Sequence, residues 1–200
     1  MWAREVQKRW NVFLLGSVAE NLLHEVDVPV CVIGPRVRPQ VRPDYEPSSV
    51  LFATSLHRMS RQSAQLALEI ANLHQARLTL LHVMPTGRAE KEDYQQLREQ
   101  RKDELLSLIT GETKIWSLPS VAIREGDPAT EILAEANEPA ADLIVLGTTG
   151  ASKVARLLAA GVVHRVIAMT KAPVITLRQE ENIRDVYAHK PMSVKGELTV

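Results

Sequence analysis

The segment from Ala141 to Arg178, ADLIVLGTTGASKVARLLAAGVVHRVIAMTKAPVITLR, restricts the fold more than any other part of the chain. Leu143-Ile144-Val145-Leu146 is an unbroken apolar run. It is too short to span a bilayer and suits a strand buried on both faces. Gly147-Thr148-Thr149-Gly150 reads as a tight turn. Val162, Val163, Val166 and Ile167 then recur at helical spacing, Ala172-Pro173 stops the helix, and Val174-Ile175-Thr176-Leu177 reads as another strand. Strand, glycine turn, helix, strand is a βαβ unit, whose turn is where a helix N-terminus would meet an anion.

The same alternation extends back to Ser49. Strands are expected at Val50–Thr54, Leu78–Val83 and Val121–Ile123. Helices are expected over Ser60–Gln75, with Leu66, Ala67, Ile70 and Leu73 as the apolar stripe, and over the charged stretch Lys91–Thr110, with Leu97, Leu105, Leu108 and Ile109. A third helix opens at Asp127 as N-cap with Pro128 in the first helical position, and ends near Asn137–Pro139. Strands alternating with helices over this length predict an α/β, doubly wound parallel sheet.

The motifs HV at 82–83, REGDPATEIL at 124–133, ADLIVLG at 141–147 and the partial G-x2-G-x9-G-[S/T] pattern beginning at Gly147 and Gly150 resemble the universal stress protein family over Val50–Leu177. The resemblance implies a Rossmann-like five-stranded sheet of order 3-2-1-4-5. It also implies a nucleotide crevice lined by Ala53, Thr54, Ser55, Val83, Leu146, Gly147 and Gly150, with phosphates on backbone N–H groups at Ala160, Gly161, Val162 and Val163. The chain departs from the family at two places. Ala160-Gly161 stands where glycine and Ser or Thr are expected, and Ser55 stands where an aspartate usually follows the first strand. Each lost charge-assisted contact is worth about 1.5–3 kcal/mol, so the implied cofactor, ATP, is expected to bind weakly or not at all. Gly147 and Gly150 suit a tight turn with or without a ligand, and Lys153 and Arg156 suit a solvated helix face.

The N-terminal residues repeat the end of this domain. Gly16 aligns with Ala160, Ser17 with Gly161, Val18 with Val162, Pro29 with Pro173 and Val30 with Val174 at a constant offset of 144. Residues 1–35 therefore resemble the last helix (Val18–Val26) and strand (Val30–Ile33) of a preceding copy. A stiff Pro/Arg linker follows over 36–48, then the complete domain over 49–178 and a polar tail over 179–200. Family members dimerise through their last strands, so the resemblance implies either a homodimer or intrachain pairing of Val30–Ile33 with Val174–Leu177. The linker is long enough for the latter, reaching about 45 Å when extended.

Composition excludes other classes. Lys+Arg and Asp+Glu are equal at 24 each, so no field points to nucleic acid or a membrane surface. No apolar run approaches a membrane span and no leader is visible, which gives a cytoplasmic expectation. Cys31 is the only cysteine and sits in an apolar strand, where it reads as a small core residue. The six histidines show no metal-ligand spacing, so no metal is expected. His82 reads as structural, and His57 is near the crevice in sequence. No Ser-His-Asp signature, H-E-x-x-H or Walker motif is present, and no catalytic residue is assigned. Two functions remain open: a regulatory nucleotide-binding protein, or an interaction module of the same fold that binds no nucleotide.

Overall fold

The computed structural model describes residues 26, 28–37, 45–56, 60–87, 91–109, 116–138, 140–149 and 153–179. The helix expected at Val18–Val26, His57, Gly150 and residues 180–200 of the tail lie outside these or reach them only at Val26.

Six strands and four helices follow in order: β1 (Val30–Val32), β2 (Ser49–Thr54), α1 (Ser60–Leu73), β3 (Arg77–Met84), α2 (Lys91–Ser107), β4 (Ser120–Glu125), α3 (Pro128–Asn137), β5 (Leu143–Thr149), α4 (Lys153–Met169) and β6 (Val174–Gln179). They form one sheet, ordered β1-β6-β5-β2-β3-β4. Strands β2 to β6 are parallel, and β1 joins β6 antiparallel.

The sheet is covered on both faces, and the sequence alternation assigns each side chain to one of them. Leu51, Ala53, Leu81, Ile144, Leu146 and Val174 pack beneath α3 and α4. Val50, Phe52, Leu78, Leu80 and Val145 pack beneath α1 and α2. Strand β2 lies at the centre with all six residues buried, which explains its lack of polar alternation.

The structure corrects several expectations. Six strands stand in place of five, because Val30–Val32 occupies the β6 edge, whose backbone groups would otherwise lack partners. Gly147, Thr148 and Thr149 form no turn. They extend β5, paired with Leu177, Arg178 and Gln179. Helix α4 begins at Lys153, so positions 160–163 lie inside a helix of 17 residues. The buried stripe of α1 is Ser60, Ser63, Ala64, Ala67, Leu68 and Ala71, while Leu73 is 78% exposed. Small side chains allow α1 to approach the sheet closely, and hydrophobic spacing alone favoured the larger leucines. Cys31 is exposed rather than in the core, because β1 is an edge strand covered incompletely.

The β1–β6 register has an internal symmetry. Val30 pairs with Thr176, Cys31 with Ile175 and Val32 with Val174. Under the offset of 144, Val30 corresponds to Val174 and Val32 to Thr176. The pairing is thus self-complementary about Cys31 and Ile175. Gly34 then presses on α4: a Cβ there would lie 2.1 Å from the Ile167 carbonyl oxygen. Just ahead of β2, Tyr45 and Ser48 meet Asp142 at the amino end of β5. Tyr45 donates its hydroxyl to the Asp142 carbonyl. Ser48 donates its N–H (3.0 Å) and hydroxyl (2.7 Å) to the Asp142 carboxylate.

Candidate functional site

From β2 the chain runs outward to β3 and β4 on one side, then returns to build β5 and β6 on the other. The strand order therefore reverses between β2 and β5, and a crevice at their carboxyl ends is where such sheets take ligands. Ala53 pairs with Leu146 there. Ala53, Thr54 and Leu146 are buried, Ser55 is exposed, and Gly147 is half-buried. Val83, from β3, packs against the core on the α3–α4 face. These residues converge on the carboxyl edge of the sheet.

The phosphate segment does not adopt the arrangement expected of it. Helix α4 is continuous from Lys153 through Ala160, Gly161, Val162 and Val163. Backbone N–H groups so far inside a helix bond to carbonyls four residues earlier and have nothing left for a phosphate. Only the first turn, at 153–156, offers free N–H groups. Gly161 is exposed with open space around its Cα, Val162 is half-buried, and Val163 is buried in the core. A Cβ on Gly147 would meet Ser63 Cβ and Oγ at 3.4 Å, an ordinary contact. Its sterics therefore do not demand glycine.

Thr54 connects the crevice to the opposite face of the sheet. Its hydroxyl donates to Ser60 Oγ at 2.6 Å and accepts from Leu56 N–H at 3.1 Å. Leu56 is held at a φ of 60°, a left-handed conformation that costs a branched side chain free energy. The Thr54 carbonyl lies 2.9 Å from His82 Nδ1. A carbonyl can only accept, so Nδ1 carries the proton and donates. Burial pushes the His82 pKa below the ordinary imidazole value, which the bond to Thr54 partly opposes, so the ring is neutral at pH 7. His82 is structural in that it fixes the Thr54–Leu56 turn.

Beyond β4, Asp127 caps α3 by accepting from Thr130 N–H at 3.1 Å. Arg165 of α4 donates to the same carboxylate at 3.0 Å. Arg165, then Thr130, hold the Asp127 pKa at about 2 against an ordinary 3.8. This ties the two helices flanking the crevice. Among the described residues no group of three or more His, Cys, Asp or Glu is placed to hold a metal ion, and no helix is long and apolar enough to cross a membrane.

Hydrophobic spacing and motifs did not reveal a cavity of about 310 Å³ on the α1–α2 face, beside His82 and beneath α2. The available signal was Tyr94 and Leu97, three residues apart in the polar first half of α2, ahead of the core residue Leu105.

A parallel sheet covered by helices on both faces, with its order reversing between β2 and β5, defines the class as an open, doubly wound α/β protein. The family model for the universal stress protein family matches residues 48–178, and the chain belongs to that family. Universal stress protein Sll1654 of Synechocystis sp. is 28% identical over 136 residues, covering 64% of this chain and 84% of that protein. Among solved structures, a putative universal stress protein from Pseudomonas aeruginosa superposes with a TM-score of 0.62 at 20% identity, covering 90% of this chain and 60% of that one. One from Archaeoglobus fulgidus gives 0.56 at 22% identity, covering 84% of this chain and 55% of that one. The structural likenesses show the shared fold, and the chain spans little more than half the length of those two structures.

Proposed function

We propose that the chain is a regulatory universal stress protein with a weak adenine-nucleotide site at the β2–β5 switch point and no catalytic base, working in the cytoplasm. The observation that carries this reading is the pairing of Ala53 with Leu146 at the switch point, which brings Ala53-Thr54-Ser55 and Leu146-Gly147 to one sheet edge, with Val83 and Val163 in the adjoining core. An apolar edge at a switch point suits a flat base. Weak binding follows from two losses. Ser55 supplies no charged acceptor for a ribose, and the N–H groups at Ala160–Val163 are used within α4. Two missing charge-assisted bonds, at about 1.5–3 kcal/mol each, lower affinity by at least about a hundredfold. Calorimetry with ATP is expected to give a dissociation constant in the high micromolar range or weaker. A sub-micromolar constant would overturn the weak-site reading. No heat and no shift of the Ala53 or Val83 amide resonances at millimolar ATP would overturn nucleotide binding altogether.

A second reading, an interaction module, is favoured by the self-complementary β1–β6 register. In this reading Val30–Val32 is the counterpart of β6 from a second copy of the domain and takes the place that another protomer's last strand would fill in a homodimer. Removing residues 1–35 is then expected to turn a monomer into a dimer in sedimentation velocity. An unchanged sedimentation coefficient would count against it.

A further inference from the structure

On the α1–α2 face of the sheet, bordering the nucleotide crevice at Ser55, a cavity lies beneath α2. Its volume, about 310 Å³, falls at the lower end of small-ligand pockets. Its apolar lining comes from Leu56, Met84, Pro85 and Leu97, and its polar lining from Ser55, His82, Tyr94 and Arg101. The sheet alternation fixes its side: His82 and Met84 follow Leu78 and Leu80 on the α1–α2 face, while Val83 points to the other face.

His82 sets the chemistry. The residue is only 9% exposed. Nδ1 is committed as a donor to the Thr54 carbonyl, which fixes the tautomer and leaves Nε2 as an acceptor. Among the described residues nothing donates to it. The cavity is therefore built to receive an N–H or O–H. It is poorly suited to an anion, because Glu104 already pairs with the Arg101 guanidinium and Glu125 sits beside Tyr94 and accepts from Gly87 N–H at 3.2 Å. The remaining surfaces favour an aromatic ring. A thioether, a guanidinium and a phenol each interact well with a ring face or edge. Leu56 is held in its left-handed conformation at the rim, and backbone strain of that kind gathers at ligand sites.

We propose that this cavity is a second small-molecule site, taking a flat, uncharged aromatic molecule of indole or phenol size that donates one hydrogen bond to His82 Nε2. Ser55 lines both this cavity and the nucleotide crevice, so the two sites are neighbours, and the proposal does not require that nucleotide binds. Its occupancy would be felt at the Thr54–Leu56 turn, because His82 holds the Thr54 carbonyl and Thr54 holds Leu56.

The test uses the full chain uniformly labelled with 15N, indole as probe, and 1-methylindole as a probe of similar shape without the donor. Indole is expected to shift the His82 Nε2 resonance saturably in the sub-millimolar to millimolar range. 1-Methylindole is expected to bind about tenfold more weakly or worse, since a site built around a hydrogen bond rejects the analogue that lacks it. Leu97→Trp, which fills the cavity from α2, is expected to abolish the indole shift. Absence of a saturable His82 shift, equal binding of the two indoles, or indole shifts confined to Val83 and Leu146 across the sheet would each overturn the proposal. The two-probe comparison on the unaltered protein decides the matter even if Leu97→Trp does not fold.

Discussion

Gly34→Ala is expected to detach the N-terminal strand from the domain. An ideal Cβ at this position falls 2.1 Å from the Ile167 carbonyl oxygen and 3.1 Å from its carbon. Both are backbone atoms of α4, so no side chain can rotate away. Restoring ordinary contact requires a shift of about 1 Å or more, and overpacking of this kind costs about 1–3 kcal/mol. Strand β1 has three residues, all engaged with β6, and each of its hydrogen bonds contributes only about 0.5–1.5 kcal/mol. Strain and adhesion are therefore comparable, and the segment is expected to lift rather than distort α4. Hydrogen exchange should show the β6 amides that face β1 losing protection while β2 and β3 amides keep theirs. Urea unfolding should show a loss of about 1–3 kcal/mol, and the uncovered edge should associate with a second copy in sedimentation. Gly161→Ala is the matched control. Nothing lies within 4 Å of its added Cβ, and an exposed helical glycine replaced by alanine should stabilise by about 1 kcal/mol. A Gly34→Ala protein with unaltered β6 exchange and stability would refute the reasoning.

Three further outcomes follow from particular contacts. Asp127→Ala removes the α3 cap and the tie to Arg165 and should cost about 1–2 kcal/mol in urea unfolding at pH 7. Because folding depresses the Asp127 pKa from 3.8 to about 2, its contribution is complete above pH 4 and is lost as pH falls to 2. The variant should lack that part of the acid slope, which stays below about 1 kcal/mol for so exposed a pair. Burial, then the Asp142 carboxylate, push the Tyr45 pKa up to about 12 from 10. The stability this gives is present below pH 10 and is lost as pH rises through 12, and Tyr45→Phe should remove the last step of an ultraviolet phenolate titration. Ala160→Gly with Gly161→Ser restores the family's residue pair inside α4, where the N–H groups are already bonded. ATP affinity is expected to stay within about threefold, and a tenfold gain in calorimetry would show that the helix unwinds there to meet phosphate.

The contrast between α3 and α4 shows which local signals suffice. Asp127, Pro128 and Thr130 place the start of α3 by contacts within a few residues of one another, so the sequence alone located it. The start of α4 has no such cap in the expected place. Glycine and threonine at 147–149 looked like a turn, yet pairing with β6 keeps them in β5. That pairing is set by a strand nearly thirty residues away, which no local pattern reports.

The sequence by itself determined the alternation of strands and helices, the two buried faces of the central strand and the family. All of these rest on periodicity and short motifs, which are properties of neighbouring residues. Tertiary structure decided the rest. It set the close approach of Gly34 to the Ile167 carbonyl, the preference of the α1 core for alanine and serine over Leu73, and the exposure of Cys31 at a sheet edge. It also set the tautomer of His82, through a carbonyl 28 residues away. Each of these depends on which atoms from distant segments share a few ångströms of space, and a sequence records the order of residues without recording that distance.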